Sequence, residues 1–281
     1  MKNVGTIKEI WRYPVKGMAG EQIESCEVGP GGLAGDRIWA VVDVLRKEIQ
    51  SCKFRPQLLG CTATSREESS ASQVDIELPC GEVLRTDDLE IHARLSELVG
   101  KESTLEALRS VAAESFFRRY QAGSRDWLDE LKETFSREPG EPLPDFTDFP
   151  KQAQDFVTVP GSFFLVSTFH IITSGTMQHM KRLLPDSDWD IRRFRPNIVI
   201  ETSEEGLVEQ GWIGKQLTIS GLPVDCTGTA VRCGAVTRAQ VGIPPDKSML
   251  RTIVKDAEQN LGIYGKILEE GTISVGDKVF L

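Results

Sequence analysis

The residues best equipped for chemistry in this chain are Arg232-Cys233-Gly234. A cysteine beside an arginine in a glycine-rich turn can carry thiolate character at neutral pH, and a soft thiolate suits soft or high-valent metals and redox chemistry. The plainer reading is a small buried hydrophobe, which local sequence alone favours because free cysteine is among the most buried residue types. The other cysteines, at positions 26, 52, 61, 80 and 226, are dispersed, with no pair at metal-clip spacing. Neither a disulfide framework nor a zinc ribbon is indicated. His92, His170 and His179 fall on predicted helices with no carboxylate or thiol at ligand spacing, and neither HExxH nor a nucleophile-elbow sequence occurs. Zinc and serine hydrolases are therefore disfavoured, and the histidines read as structural or surface residues.

Gly29-Pro30-Gly31-Gly32-Leu33-Ala34-Gly35 has the look of a phosphate loop, but it lacks the GxxxxGK[ST] ending and any βαβ setting. It reads instead as a wide turn that delivers Asp36 and Arg37 to the start of the apolar strand Ile38-Trp39-Ala40-Val41-Val42. An arginine placed there can grip an anion bidentately. The net charge of −9, with lysines and arginines scattered, argues against a nucleic-acid partner. Arg118 and Arg119 read as solvated surface. No apolar run is long enough for a membrane span or a signal peptide, so a cytoplasmic location is expected.

The elements that must hold these residues are short. Ile7 to Trp11, Ile23 to Val28, Ile38 to Val44 and Leu58 to Thr64 read as strands, and Asp87 to Gly100 as a helix with acidic start and glycine stop. Ser124 is placed to cap a helix through Trp127, Leu128, Leu131 and Phe135, followed by a proline-rich linker from Arg137 to Pro150. Phe163 to Val166 reads as a strand, with Ser167 or Thr168 capping a helix that carries Ile171, Ile172, Met180, Leu183 and Leu184. Asn197 to Glu201, Gln216 to Ser220 and Thr272 to Leu281 are β-rich, and Asp246 to Gln259 is a further helix. Without βαβ alternation, the pattern predicts an α+β fold built on a barrel or strongly bent sheets.

Seven blocks, in order along nearly the whole chain, carry a family resemblance: Tyr13-Pro14-Val15-Lys16-Gly17, Gly32-Leu33-Ala34-Gly35-Asp36-Arg37, Arg55-Pro56-Gln57-Leu58, Arg193-Phe194-Arg195-Pro196-Asn197-Ile198-Val199-Ile200, Arg232-Cys233, Asn260-Leu261-Gly262-Ile263-Tyr264, and Gly271-Thr272-Ile273-Ser274-Val275-Gly276-Asp277. The chain resembles the MOSC family, named for the C-terminal domain of molybdenum cofactor sulfurases, and in particular its two-part, amidoxime-reducing members. The resemblance implies a mostly β, barrel-like N-terminal domain over residues 1–123, a helical and proline-rich segment over 124–155, and a MOSC β-barrel with a few flanking helices over 156–281. It is weakest between about Leu105 and Asp155.

By that resemblance Cys233 is the protein ligand to the molybdenum of a molybdenum cofactor, and the residue at which the reaction takes place. Lys16 and Arg37 would take the cofactor's phosphate, with Gly17, Ser167, Thr168, Arg195, Asn197 and Arg232 as further cofactor contacts. Ala230-Val231 depart from the family, where hydroxyl or thiol side chains are common at these positions. The implied activity is reduction of N-hydroxylated small molecules, with electrons from an external donor: a flavoprotein reductase, a ferredoxin-like protein or a cytochrome-type protein. A carrier of the cofactor, or of sulfur as a Cys233 persulfide, is the alternative, and a scaffold that has lost the cofactor a blander one.

Overall fold

In the computed structural model, which describes residues 1–66, 73–120, 132–145 and 154–281, strands open the chain. They are β1 (Asn3–Arg12), β2 (Glu21–Ile23), β3 (Ser25–Gly29), β4 (Gly32–Leu33), β5 (Trp39–Asp43), β6 (Glu48–Ile49), β7 (Thr62–Ser65), β8 (Val74–Glu77) and β9 (Val83–Arg85). Helix α1 (Ile91–Val99) and β10 (Ser103–Ala107) follow. The C-terminal half holds β11 (Phe169–Thr173), α2 (Ser174–Leu183), β12 (Ile198–Glu201), β13 (Gln216–Ile219), β14 (Leu222–Val231), α3 (Ser248–Asp256), β15 (Asn260–Ile267), β16 (Gly271–Ser274) and β17 (Lys278–Phe280). The fold is α+β and mostly β.

Seven strands close a barrel in the order β12, β11, β15, β14, β13, β17, β1, and β1 then pairs back onto β12. Only β11 and β12 run parallel among these neighbours, and α2 supplies the crossover that a parallel pair requires. The first strand of the chain is thus a stave of the C-terminal barrel, recruited across the boundary expected near residue 123. Ile7 and Ile10 are three residues apart, so strict alternation would point one of them outward. A β-bulge between Ile7 and Glu9 restores the phase, and both side chains reach the barrel core at 1% and 0% exposure. β14 carries two bulges, between Cys226 and Gly228 and between Thr229 and Val231, which bend it as it leads into Arg232-Cys233. Sheets β10-β5-β6 and β7-β8-β9 share a second core with α1, in which Val15, Met18, Leu58, Ile76, Ile91 and Leu95 are fully buried. Gly100, left-handed at φ 70°, ends α1 as its sequence predicts.

Several expectations need correction. Phe163 to Val166 forms no strand: Phe163 and Phe164 are buried, whereas Leu165 and Val166 face solvent. Ser167 and Thr168 cap no helix, because Phe169 to Thr173 is a strand and Thr173 Oγ1 accepts from Thr176 N at 3.1 Å to start α2. All five residues of β11 are buried, so the strand shows no alternation and its run of Ile171-Ile172 was readable as helix. His170 therefore sits on a strand. Pro56–Gly60 is a 3₁₀ turn ahead of β7, and Ile23 to Val28 is divided between β2 and β3. The helix from Ser124 lies mostly outside the described residues, although residues 132–135 are helical. Part of the linker from Arg137 to Pro150 also lies outside them; residues 137–145 are described and hold no regular element.

One buried cation ties the fold to the thiol. Arg193 is 2% exposed, and its guanidinium donates to the carbonyls of Asp188 (3.0 Å), Val236 (3.2 Å), Arg238 (3.3 Å) and Pro244 (2.6 Å). It joins the segment carrying Arg195 to the turn that follows Cys233. Lysine lacks the planar fork that reaches several acceptors at once, so Arg193→Lys should lower unfolding free energy by about 2 kcal/mol in urea titrations. An unchanged midpoint would show that the brace is dispensable.

Candidate functional site

The site is built on the ring of Tyr13, just past the end of β1 and 1% exposed. The Arg195 guanidinium lies 4.2 Å from the ring centroid and that of Arg37 5.1 Å, and Arg37 also lies 4.9 Å from the ring of Phe164. Both arginines have left-handed backbones, with φ of 52° at Arg37 and 55° at Arg195. That region costs an L-residue on the order of 1–2 kcal/mol, so tertiary contacts must hold them there. Arg37 N donates to Tyr13 O at 2.8 Å, and Arg195 Nη1 to Met18 O at 2.5 Å. Lys16, at 6% exposure, donates from Nζ to Phe163 O at 2.8 Å. Burial, helped by the charges of Lys53 and Arg37, lowers the Lys16 pKa to about 7.

Asp36 holds this group together from below. Its carboxylate accepts from Tyr13 N at 2.8 Å and from Asn197 Nδ2 at 2.9 Å, and it pairs with Arg37. Asn197 uses its whole amide: Nδ2 also donates to Trp11 O at 3.4 Å, and Oδ1 accepts from His170 N at 3.0 Å. The geometry makes Asn197 a residue that positions Asp36 and β11, with no donor left over for a ligand.

Cys233 lies where the chain leaves β14, in extended conformation at φ −117° and ψ 178°, and it opens the 3₁₀ turn Gly234–Thr237. It is half-buried. Arg232, 8% exposed, is pinned by its backbone N–H to Gln259 O at 2.8 Å and by Nη2 to Phe194 O at 2.5 Å. Burial pulls the pKa of both Arg232 and Arg195 down. Tyr264 connects thiol and cations: burial raises its pKa, and the charges of Arg232, Cys233 and Arg37 all act on it. Its ring lies 5.6 Å from that of His170. Burial and then the Arg232 charge keep the His170 pKa far below the usual imidazole range. His170 Nδ1 lies 3.3 Å from Arg195 O, and the Leu261 backbone also hydrogen-bonds the ring.

Arg195, Arg37 and Arg232 thus all act on Tyr13, Arg37 and Arg195 act on Lys16, and Asp36 is the carboxylate that acts on Tyr13 and Arg195. Among the described residues, Arg195 Nη2, Arg232 Nε and Tyr13 Oη are buried without a hydrogen-bond partner. Excess buried cation with unmet donors is unfavourable in an empty protein and fits an anionic, hydrogen-bonding group.

Family comparisons agree with this two-part architecture. The family model for the MOSC domain matches residues 161–280, and that for the MOSC N-terminal beta barrel domain matches residues 4–121. The chain belongs to the MOSC family. It is also 23% identical over 286 residues to a molybdenum cofactor sulfurase of Danio rerio, covering 92% of this chain and 31% of that protein. This chain therefore spans about a third of the length of that curated relative. Among solved structures, the YuaD protein of Bacillus subtilis is 10% identical with a TM-score of 0.44, covering 98% of this chain and 93% of that one. YiiM of Geobacillus stearothermophilus is 14% identical with a TM-score of 0.31 over 41% of this chain and 54% of its own. Both scores are too low to establish a shared fold.

Within this MOSC protein, Lys16, Arg37, Arg195, Arg232 and Cys233 are brought to one place from four separated segments. Gly17 serves through its backbone: at φ 85° it turns beside Cys52, whose backbone N would lie 3.0 Å from an added Cβ. Ser167 and Thr168 are not drawn into the cation group. Their hydroxyls donate to Gly265 O at 2.8 Å and Pro30 O at 3.4 Å, tying the loop to β15 and to the glycine-rich turn. Sequence reasoning missed Tyr13 as the stacking platform, His170, Phe164 and Tyr264. The signals were present: Tyr13 and Tyr264 lie inside two of the blocks that carry the family resemblance, but neither was read as a site residue.

Proposed function

We propose that this site holds a molybdenum cofactor and that the loaded protein reduces N-hydroxylated small molecules. The observation that carries the reading is the set of four cations, two of them buried (Lys16 and Arg232) and two with an unmet donor (Arg195 and Arg232), on the side of the fold that carries the half-exposed thiol of Cys233. Lys16 and Arg37 would receive the cofactor's phosphate, Arg195 and Arg232 its remaining acceptors, and Cys233 the metal. The bound group supplies two-electron redox chemistry. The protein's own residues do the rest: Tyr13 and Asp36 fix the guanidinium planes, and His170, held neutral, packs beside Tyr264 without adding charge. Overall, an N–OH substrate, two electrons and two protons give N–H and water, so an external electron donor of flavoprotein, ferredoxin-like or cytochrome type is required.

A second reading is favoured by the relative named a molybdenum cofactor sulfurase: Cys233 carries a persulfide for transfer. One experiment separates the two. Protein purified from a host that makes molybdenum cofactor should contain about one molybdenum per chain, and Cys233→Ser should lose nearly all of it while keeping its far-ultraviolet circular dichroism. Molybdenum retained in the variant would sink the ligand assignment, and a persulfide on Cys233 without molybdenum would establish the carrier. The loaded protein is expected to turn over a benzamidoxime-like substrate with an artificial reductant.

A further inference from the structure

The wall beside Cys233 comes from residues 132–145, where the chain resembles its family least. Three contacts fasten this stretch. Gly234 packs so tightly against it that an added Cβ would lie 2.2 Å from Ser136 Oγ and 3.0 Å from Ser136 Cβ. Arg251, on α3, donates to Ser136 O at 2.6 Å and pairs with Glu141. Arg137 turns back over the thiol's own backbone: Nη2 donates to Arg232 O at 3.2 Å and to Gln259 Oε1 at 2.8 Å, while Nη1 and Nε hold Phe135 O (2.8 Å) and Pro142 O (3.1 Å). The carbonyl it grips belongs to the peptide bond that joins Arg232 to Cys233. Arg232 N is meanwhile bound to Gln259 O, so Arg137 and Gln259 clamp that residue from both sides. Within the stretch, Thr134 and Phe135 are themselves buried.

We propose that residues 132–145 form a strap, fastened by Arg137 and Arg251 and seated on Gly234, that sets how large a molecule can reach Cys233. Arg137 is a positioning residue here, since it reaches Cys233 through the Arg232 carbonyl and the Gln259 side chain. The strap explains why position 234 is glycine, and it places the determinants of substrate size on the variable part of the chain while the barrel holds the cofactor. The inference rests on Cys233 being the reacting centre, yet its test is made on metal-free protein and stands apart from molybdenum content.

The experiment measures alkylation of Cys233 in metal-free protein by a small reagent, N-ethylmaleimide, and a bulky one, a polyethylene-glycol maleimide, by mass spectrometry of the Cys233 peptide. In the Arg137→Gln/Arg251→Gln variant the bulky reagent should gain about tenfold in rate and the small one much less. Exposed Cys80 should keep its rate, and buried Cys61 and Cys226 should remain slow. Gly234→Ala should loosen the strap in the same way. Adding Ser136→Gly should restore the slow rate, because it removes the clashing atoms and suits the positive φ of 49° at that position. Unchanged selectivity between the two reagents, a rise shared by Cys61 and Cys226, or failure of Ser136→Gly to restore would each overturn the proposal.

Discussion

Lys16→Met should make the metal-free protein more stable at pH 7, by about 2–4 kcal/mol, and the gain should vanish as the pH rises toward 10.5. The sign follows from proton uptake. The folded lysine has a pKa of about 7, against 10.5 for the unperturbed side chain, mainly because burial disfavours its charge. Below pH 7 both folded and unfolded chains carry the proton, and the folded state bears the whole penalty of holding a buried ammonium. Between pH 7 and 10.5 the unfolded chain binds the proton and the folded chain does not, so wild-type stability rises with pH through this group. Above 10.5 neither holds it. The gap between these two pKa values corresponds to at most about 5 kcal/mol, and the lost hydrogen bond to Phe163 O takes back part of the gain in the variant. Urea titrations of both proteins at pH 7, 8.5 and 10 would read the converging difference. A constant difference across that range would show that Lys16 is not a buried, titrating amine. Inorganic pyrophosphate should protect the wild type at pH 7 more than the variant, since an anion returns what burial took away.

The scaffold was more legible in the sequence than the site. Helices α1 and α3 announce themselves by apolar spacing, and the glycine-rich turn delivering Asp36 and Arg37 follows from its composition. The barrel staves were harder because their signals are not local. β11 is buried on both faces and loses its alternation, β14 is broken by two bulges, and β1 closes the barrel only against β12 and β17, about two hundred residues away or more. The charged site residues Lys16, Arg37, Arg195, Arg232 and Cys233 could be named from the ordered blocks. What could not be read was their division of labour. Arg195 stacks on Tyr13 with a free donor, whereas Arg193, two residues earlier, is saturated by four carbonyls and only braces. Both are arginines in one short run, and only the third dimension tells them apart. His170 has no ligand partner at sequence spacing, because its neighbours Arg195, Arg232 and Tyr264 come from elsewhere in the chain.

Asp36→Ala is expected to destabilise the protein by about 3–5 kcal/mol and to abolish retention of an anionic ligand at the site. The carboxylate is 5% exposed and satisfies three donors that have no substitute: Tyr13 N, Asn197 Nδ2 and the Arg37 guanidinium. Its loss leaves Arg37 beside Arg195 with no compensating charge, and both arginines are already in strained backbone conformations. It also releases the Asn197 amide that ties β1 to β11 through Trp11 O and His170 N. Asp36→Asn separates the two effects. An asparagine oxygen can still accept from Tyr13 N, so its fold should recover part of the loss, whereas its missing charge leaves the cations mutually repelling. Asp36→Asn should therefore lie between wild type and Asp36→Ala in urea midpoint. Salt should raise its midpoint more than it raises the wild type's, because added ions screen the repulsion that Asp36 normally offsets. Equal midpoints for the two variants would mean that the carboxylate acts through charge alone and that the hydrogen bonds to Tyr13 and Asn197 add nothing to the barrel's closure.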